Sequence, residues 1–180
     1  MRGVIFDRDG TLIKYKPYLH KVEDVELING VRECLEELIE NDILIFLHTN
    51  QSGVGRGYFT LDDVEKVNNE MLSQIGLDNL QFQEVCIATD LDESENSLRK
   101  PSPKFARYLM DKYNIPCQNL YMVGDNISDI HTAISANCIS IWFSSEWSIK
   151  SEDSNVSYSK LNCVDNYKDL TNIILGHRGN

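Results

Sequence analysis

The run Val4-Ile5-Phe6-Asp7-Arg8-Asp9-Gly10-Thr11 constrains the chain more than any other stretch. Three consecutive apolar residues, two of them β-branched, predict a short strand buried on both faces, as in a parallel sheet. In an open α/β sheet, ligands collect beyond the carboxyl ends of the strands. Asp7 and Asp9 therefore fall where a site belongs. Residues i and i+2 of a strand share a face, whereas a bend at Gly10 lets the two carboxyls splay around one ligand. In either arrangement two like charges repel, and a cation or a shared proton relieves them. Mg²⁺ suits the task, since it takes one or two carboxylates together with phosphate oxygens and water. The competing explanation is an Asp-rich turn that merely ends a strand, and the rest of the chain decides between them.

Further strands and helices alternate along the sequence. Lys14 to Glu26 is polar and irregular, which predicts a loop folding over the site. Gly30 starts a helix through about Asn41, with Val31, Leu35, Leu38 and Ile39 on one stripe. Ile43 to Leu47 predicts a second strand, followed by His48-Thr49-Asn50-Gln51-Ser52 and a glycine-rich loop through Gly57. Thr60 caps a helix running to about Ile75, and Gln83 to Thr89 predicts a third strand. An acidic segment, Asp90 to Glu95, follows it. Pro103 opens a helix over Lys104 to Tyr113, and Leu120 to Val123 predicts a fourth strand ending in Gly124-Asp125-Asn126-Ile127-Ser128-Asp129. A helix from about Ser128 to Asn137, a strand over Ile139 to Phe143 and a Ser-rich loop over Ser144 to Ser159 come next. A short strand near Cys163 and a helix from about Lys168 to Leu175 complete the pattern. Such alternation predicts a Rossmann-like parallel sheet with helices on both faces, in a single domain over residues 1–180.

Composition narrows the partners. A formal charge of −11 argues against coating nucleic acid, which relies on Lys and Arg neutralising phosphates. No apolar run approaches the ~20 residues of a membrane span, and the chain enters its first strand without a secretory leader, so a cytoplasmic protein is expected. The five cysteines include no C-x-x-C pair and predict reduced thiols.

Polar groups follow four of the strands, and four clusters are expected to converge: Asp7/Asp9, Thr49/Asn50, Arg99/Lys100 and Asp125/Asp129. Cleaving a phosphate monoester demands a nucleophile, neutralised phosphoryl oxygens and a proton for the leaving oxygen. Asp7 is the candidate nucleophile through an aspartyl-phosphate, and Asp9 the candidate acid and base. Asp125, with Asp7 and the backbone carbonyl of Asp9, would hold Mg²⁺. Thr49, the amides after it and Lys100 would stabilise the phosphoryl group. Taken alone, Lys100 reads better as a solvated side chain, and His48, His131 and His177 read as surface or core histidines.

DRDGT, Pro17-x-x-His20, TNQSGVGRG, RKP and GDxxxD together resemble the haloacid-dehalogenase superfamily of phosphohydrolases. Among its branches they resemble the one that holds heptose-bisphosphate and histidinol-phosphate phosphatases. The resemblance implies a haloacid-dehalogenase-like fold without a large cap domain, and a small phosphorylated metabolite as substrate. A sugar bisphosphate comes first and histidinol phosphate second. By the same resemblance Tyr18, His20, Asn50, Gln51, Ser52 and Arg99 contact substrate, and the protein is a monomer or small homo-oligomer. A polynucleotide 3′-phosphatase, a more distant relative, is disfavoured by the acidic charge, and a catalytically silent scaffold by the intact aspartate set.

The chain departs from that branch in one respect. Members commonly carry a zinc loop of form C-x-H…C-x-C before RKP, where this sequence has Ala88, Asp90, Asn96 and Leu98. Zinc prefers thiolate and imidazole, so no zinc is expected. The acidic segment Asp90 to Glu95 is read either as a solvated turn or as a selector of cationic substrates.

Overall fold

The computed structural model describes residues 1–92, 96–144 and 162–176. Six parallel strands form one sheet in the order β3-β2-β1-β4-β5-β6, with β1 at Gly3–Phe6, β2 at Leu44–Asn50 and β3 at Glu84–Ala88. β4 spans Leu120–Gly124, β5 Ile139–Phe143 and β6 Asn162–Val164. The sheet is a Rossmann-like arrangement, and it grows from β1 in both directions. β2 and β3 lie to one side of it, and β4, β5 and β6 to the other. Loops leaving the carboxyl ends of β1 and β4 therefore diverge, which opens a crevice at the switch point.

Side-chain alternation divides the core between two faces. Val4 and Phe6 of β1 pack with α1 (Val31–Glu40), α3 (Leu61–Ile75) and α6 (Tyr167–Leu175). Ile5 faces the opposite layer, α4 (Lys104–Tyr113) and α5 (Ile127–Ala136), through Phe105, Leu109, Ala133 and Ala136. The register Phe6↔Leu47 and Phe6↔Val123 brings the ends of β1, β2 and β4 level. The amide of Asp7 continues the ladder by donating to the Val123 carbonyl at 2.9 Å.

The expected strands and longer helices are present, with four local differences. The stretch expected as a glycine-rich loop forms a short helix, α2, at Ser52–Gly55, because Gln51 ends the strand and the chain turns at once. The Lys14 to Glu26 loop contains a single 3₁₀ turn at Val22–Asp24. The helix expected from Ser128 begins at Ile127, with Asn126 as its cap, and Pro103 precedes the first turn of α4 instead of occupying it. The Ser-rich stretch falls almost wholly outside the described residues, as do Glu93 to Glu95 of the acidic segment. No helix among the described residues is long and apolar enough to cross a membrane.

Candidate active site

A cleft of about 370 Å³ opens at the carboxyl ends of the strands and is lined by Asp7, Asp9, Thr49, Asn50, Arg99, Lys100 and Asp125, among others. All four sequence clusters thus meet in one place. At its floor Lys100 is 3% exposed, contrary to the reading of this residue as a solvated lysine. Its Nζ donates to Asp7 Oδ1 at 2.6 Å and lies 2.6 Å from Asp129 Oδ1. Burial alone would push the ammonium's pKa down, but the carboxylates of Asp129 and Asp7 outweigh it and hold the group above the usual lysine range.

Asp7, Asp125 and Asp129 each bring an oxygen to within 4.8 Å of the others. The sequence placed Asp129 near the site without a defined contact. In the structure it belongs to this buried acidic trio and also caps α5 by accepting from the Asn126 amide at 3.0 Å. Burial, reinforced by the charges of Asp7 and Asp129, raises the Asp125 carboxyl to about 8. Burial likewise raises Asp7, against the pull of Lys100 and with the push of Asp129 and Asp9. Two glycines permit the crowding. Gly10 has φ of 88°, and a Cβ there would stand 2.1 Å from Asp125 Oδ2; at Gly124 it would stand 2.1 Å from Asp129 Oδ2. An oxygen-only set of buried acids packed this closely fits a hard divalent cation.

Asp9 also lines the cleft, but its carboxylate stands outside that trio. The fully buried Arg8 grips it with Nε to Oδ2 at 3.0 Å and Nη2 to Oδ1 at 3.2 Å, while Arg8 Nη1 donates to Asn68 Oδ1 of α3. Gln51 Nε2 adds a bond to Asp9 Oδ2 at 2.9 Å and another to Thr49 Oγ1 at 2.7 Å, and Thr49 Oγ1 lies 3.5 Å from Asp9 Oδ2. The side-chain cation cluster therefore contains Asp129 and not the Asp9 carboxylate. Of the amides after Thr49, that of Gln51 is committed to the Ala88 carbonyl at 2.7 Å.

Asn50 lines the cleft, yet both ends of its amide hold the Lys100 backbone, donating to the carbonyl at 3.0 Å and accepting from the N–H at 2.9 Å. Arg99 also lines the cleft, and its Nη1 is buried with no hydrogen-bond partner among the described residues. A second hollow of about 270 Å³ adjoins the first through Asp9, Tyr15 and Asn50, and Tyr18, Gln51 and Ser52 contribute to it. Tyr18 stands edge-on to Tyr58 at 5.0 Å. His20 stacks on Phe59 at 5.2 Å and bonds the Tyr18 carbonyl through Nδ1 at 2.8 Å, so its contacts fasten the loop instead of facing either hollow.

Sequence reasoning passed over Arg8 and gave His48 no role at the site. Arg8 sits between the aspartates in sequence, and a cation set between two carboxylates at the end of an apolar strand was the available signal. His48, expected as a surface or core histidine and standing just after the apolar run, is fully buried, and its Nε2 lies 2.9 Å from the Leu98 carbonyl, a contact that the sequence did not suggest. A carbonyl can only accept, so Nε2 carries the proton. Burial, then the nearby Lys100 charge, lowers this imidazole to about 3, against the Leu98 bond.

The sequence profile of the haloacid dehalogenase-like hydrolases matches residues 10–143. A D-glycero-beta-D-manno-heptose-1,7-bisphosphate 7-phosphatase of Yersinia pestis is 33% identical over 144 residues, covering 75% of this chain and 76% of its own. A D-glycero-alpha-D-manno-heptose-1,7-bisphosphate 7-phosphatase of Campylobacter jejuni is 29% identical over 136 residues, covering 76% and 78%. In shape, the crystal structure of a D,D-heptose 1,7-bisphosphate phosphatase from B. bronchiseptica, complexed with magnesium and phosphate, superimposes with a TM-score of 0.86. It covers 99% of this chain and 100% of its own at 19% identity, a match of fold. The profile spans most of the sheet and the Yersinia relative shares a third of its aligned residues, so the chain belongs to the haloacid dehalogenase-like hydrolases.

Proposed function

We propose that this protein is a Mg²⁺-dependent phosphatase that acts through an aspartyl-phosphate on Asp7, with a heptose 1,7-bisphosphate as substrate. The observation that carries the reaction class is the gathering of Asp7, Asp125 and Asp129 within 4.8 Å, beside the buried ammonium of Lys100, at the floor of an open cleft. Asp7, Asp125 and Asp129 would hold the cation. When bound, Mg²⁺ supplies positive charge that offsets the repulsion between these acids and an anionic phosphoryl group.

The chain's own residues then divide the work. An oxygen of Asp7 attacks phosphorus as the bond to the leaving oxygen breaks, and Asp9 gives that oxygen its proton. Asp9 next takes a proton from water, which attacks the aspartyl-phosphate and frees phosphate. Arg8 and Gln51 keep the Asp9 carboxyl in one orientation through both steps. Lys100 holds Asp7 and offers charge to the phosphoryl oxygens, and Thr49 lies beside them. Zinc has no part in this reading, since Ala88 and Leu98 offer no side-chain ligand.

The names of the relatives support the substrate, and so does Arg99, whose unpartnered Nη1 suits a second anionic group. A cationic substrate such as histidinol phosphate would draw on the acidic segment, but the Asp90 carboxylate is taken up by Ser97 and Leu98. The test is phosphate release from heptose 1,7-bisphosphate and from histidinol phosphate, with and without Mg²⁺. The bisphosphate should give the higher kcat/KM, and Asp7→Asn should release no phosphate. Undiminished turnover in Asp7→Asn would sink the mechanism, whereas a preference for histidinol phosphate would sink the substrate alone.

A further inference from the structure

We infer that Asp90 and His48 are positioning residues, which fix the turn at Ser97–Leu98 and thereby set Lys100 against Asp7. Residues 97–100 lie outside any helix or strand. A segment that must deliver a buried ammonium to one spot still needs its own backbone groups satisfied. Side chains provide this. Asp90 Oδ2, just past β3, accepts from Ser97 Oγ at 2.9 Å and from the Leu98 amide at 3.3 Å. Ser97 Oγ, itself buried, accepts in turn from the Arg99 amide at 3.0 Å. From β2, His48 Nε2 donates to the Leu98 carbonyl at 2.9 Å, with its ring edge-on to Phe105 of α4 at 5.0 Å. Asn50 completes the set at the Lys100 N–H and carbonyl. Five backbone groups between Leu98 and Lys100 are thus held by four side chains from β2, the end of β3 and the turn itself.

Two of the positions involved, Asp90 and Leu98, are among the four at which the resembling branch offers ligands to zinc. Here one supplies a carboxylate acceptor and the other a backbone N–H, so hydrogen bonds among the described residues close the turn at positions that carry neither thiolate nor imidazole. This gives the first acidic residue of the segment a task inside the fold, in place of one facing the substrate. Displacement by about 1 Å of a group that acts on the reacting atoms can cost on the order of 10²-fold in rate. A loosened turn should therefore lower kcat more than it raises KM.

Four variants test this: Asp90→Ala, Asp90→Asn, His48→Leu and His48→Gln. An Asn amide still accepts from Ser97 and Leu98, and a Gln amide still donates to the Leu98 carbonyl. On p-nitrophenyl phosphate with saturating Mg²⁺, Asp90→Ala and His48→Leu should lose about tenfold or more in kcat with KM within about threefold, while Asp90→Asn and His48→Gln recover to within about threefold of the parent. Hydrogen exchange at the Leu98 and Arg99 amides should quicken in Asp90→Ala and stay slow in Asp90→Asn. Equal losses in Asp90→Ala and Asp90→Asn would overturn the inference, because charge and not hydrogen bonding would then be at work. So would one zinc ion per chain in the purified protein. The catalytic readout rests on the phosphatase reading, but the exchange readout does not. If the parent protein releases no phosphate from any substrate, that reading fails, and unchanged protection in Asp90→Ala is what would overturn the turn-fixing role.

Discussion

Lys100 keeps its charge because Asp7 and Asp129 flank it, and they in turn are tolerable side by side because of Lys100. Removing one partner of a buried pair costs more than the pair contributes, since it strands the others without compensation. Lys100→Met should therefore lower metal-free stability by about 3 kcal/mol in urea unfolding and cut kcat by about 10²-fold or more. A variant with near-normal turnover would show that the ammonium is ornamental to the chemistry. The same residue marks how far single positions are legible in the sequence. Arg-Lys-Pro has nothing in its own composition that predicts burial, because the burial is created by β1 and α5, far away in the chain. The informative sign was indirect: three acids at strand ends need a counter-charge. His48 gave a fainter sign, a polar ring ending the apolar run from Ile43, and its partner at Leu98 lies 50 residues on.

At the scale of elements, α6 fastens the catalytic loop from behind. The buried Tyr167 hydroxyl donates to the carbonyl of Thr11, across 156 residues. The ring also packs against Phe143 of β5 at 4.7 Å. Tyr167→Phe keeps that ring and leaves the Thr11 carbonyl unpaired, so it should cost about 1–2 kcal/mol, or roughly 3–6 °C in Tm. It should also reduce kcat several-fold, since Gly10 and Thr11 form the bend between Asp9 and the rest of the core. A melting temperature and kcat both equal to those of the parent would dismiss the contact. Element positions were largely readable in advance, because apolar runs of strand length and 3.6-residue stripes are local signals. The contact between Tyr167 and Thr11 was not, since nothing local to either residue encodes it. The helix at Ser52–Gly55 was also hidden, because glycines read as a flexible loop until the end of β2 turns them.

For the molecule as a whole, acidity and metal loading are linked. Asp125, raised to about 8, and Asp7, raised by burial, are carboxyls whose folded pKa exceeds the unfolded value near 3.8. Their contribution to metal-free stability is full below about pH 4 and is lost as pH rises through about 8. Cation binding requires the same groups deprotonated, so affinity for Mg²⁺ should rise over that range. Thermal melts in Mg²⁺ and in chelator should therefore diverge steadily from pH 6 to pH 9, with the Mg²⁺ curve higher. A gap that narrows towards pH 9 would contradict the assignment of these acids to the metal.

The uniform direction of the six strands carries a practical corollary. Each described crossover returns the chain to the amino-terminal rim of the sheet before the next strand rises, so that rim, with Met1, Asp42 and Gln81 around it, lies at the opposite end from the reacting groups named above. It is a natural handle. A tether or dye attached at the Asp42 turn would leave the mouth facing outward, and an immobilised array could be built without shading a single catalytic atom.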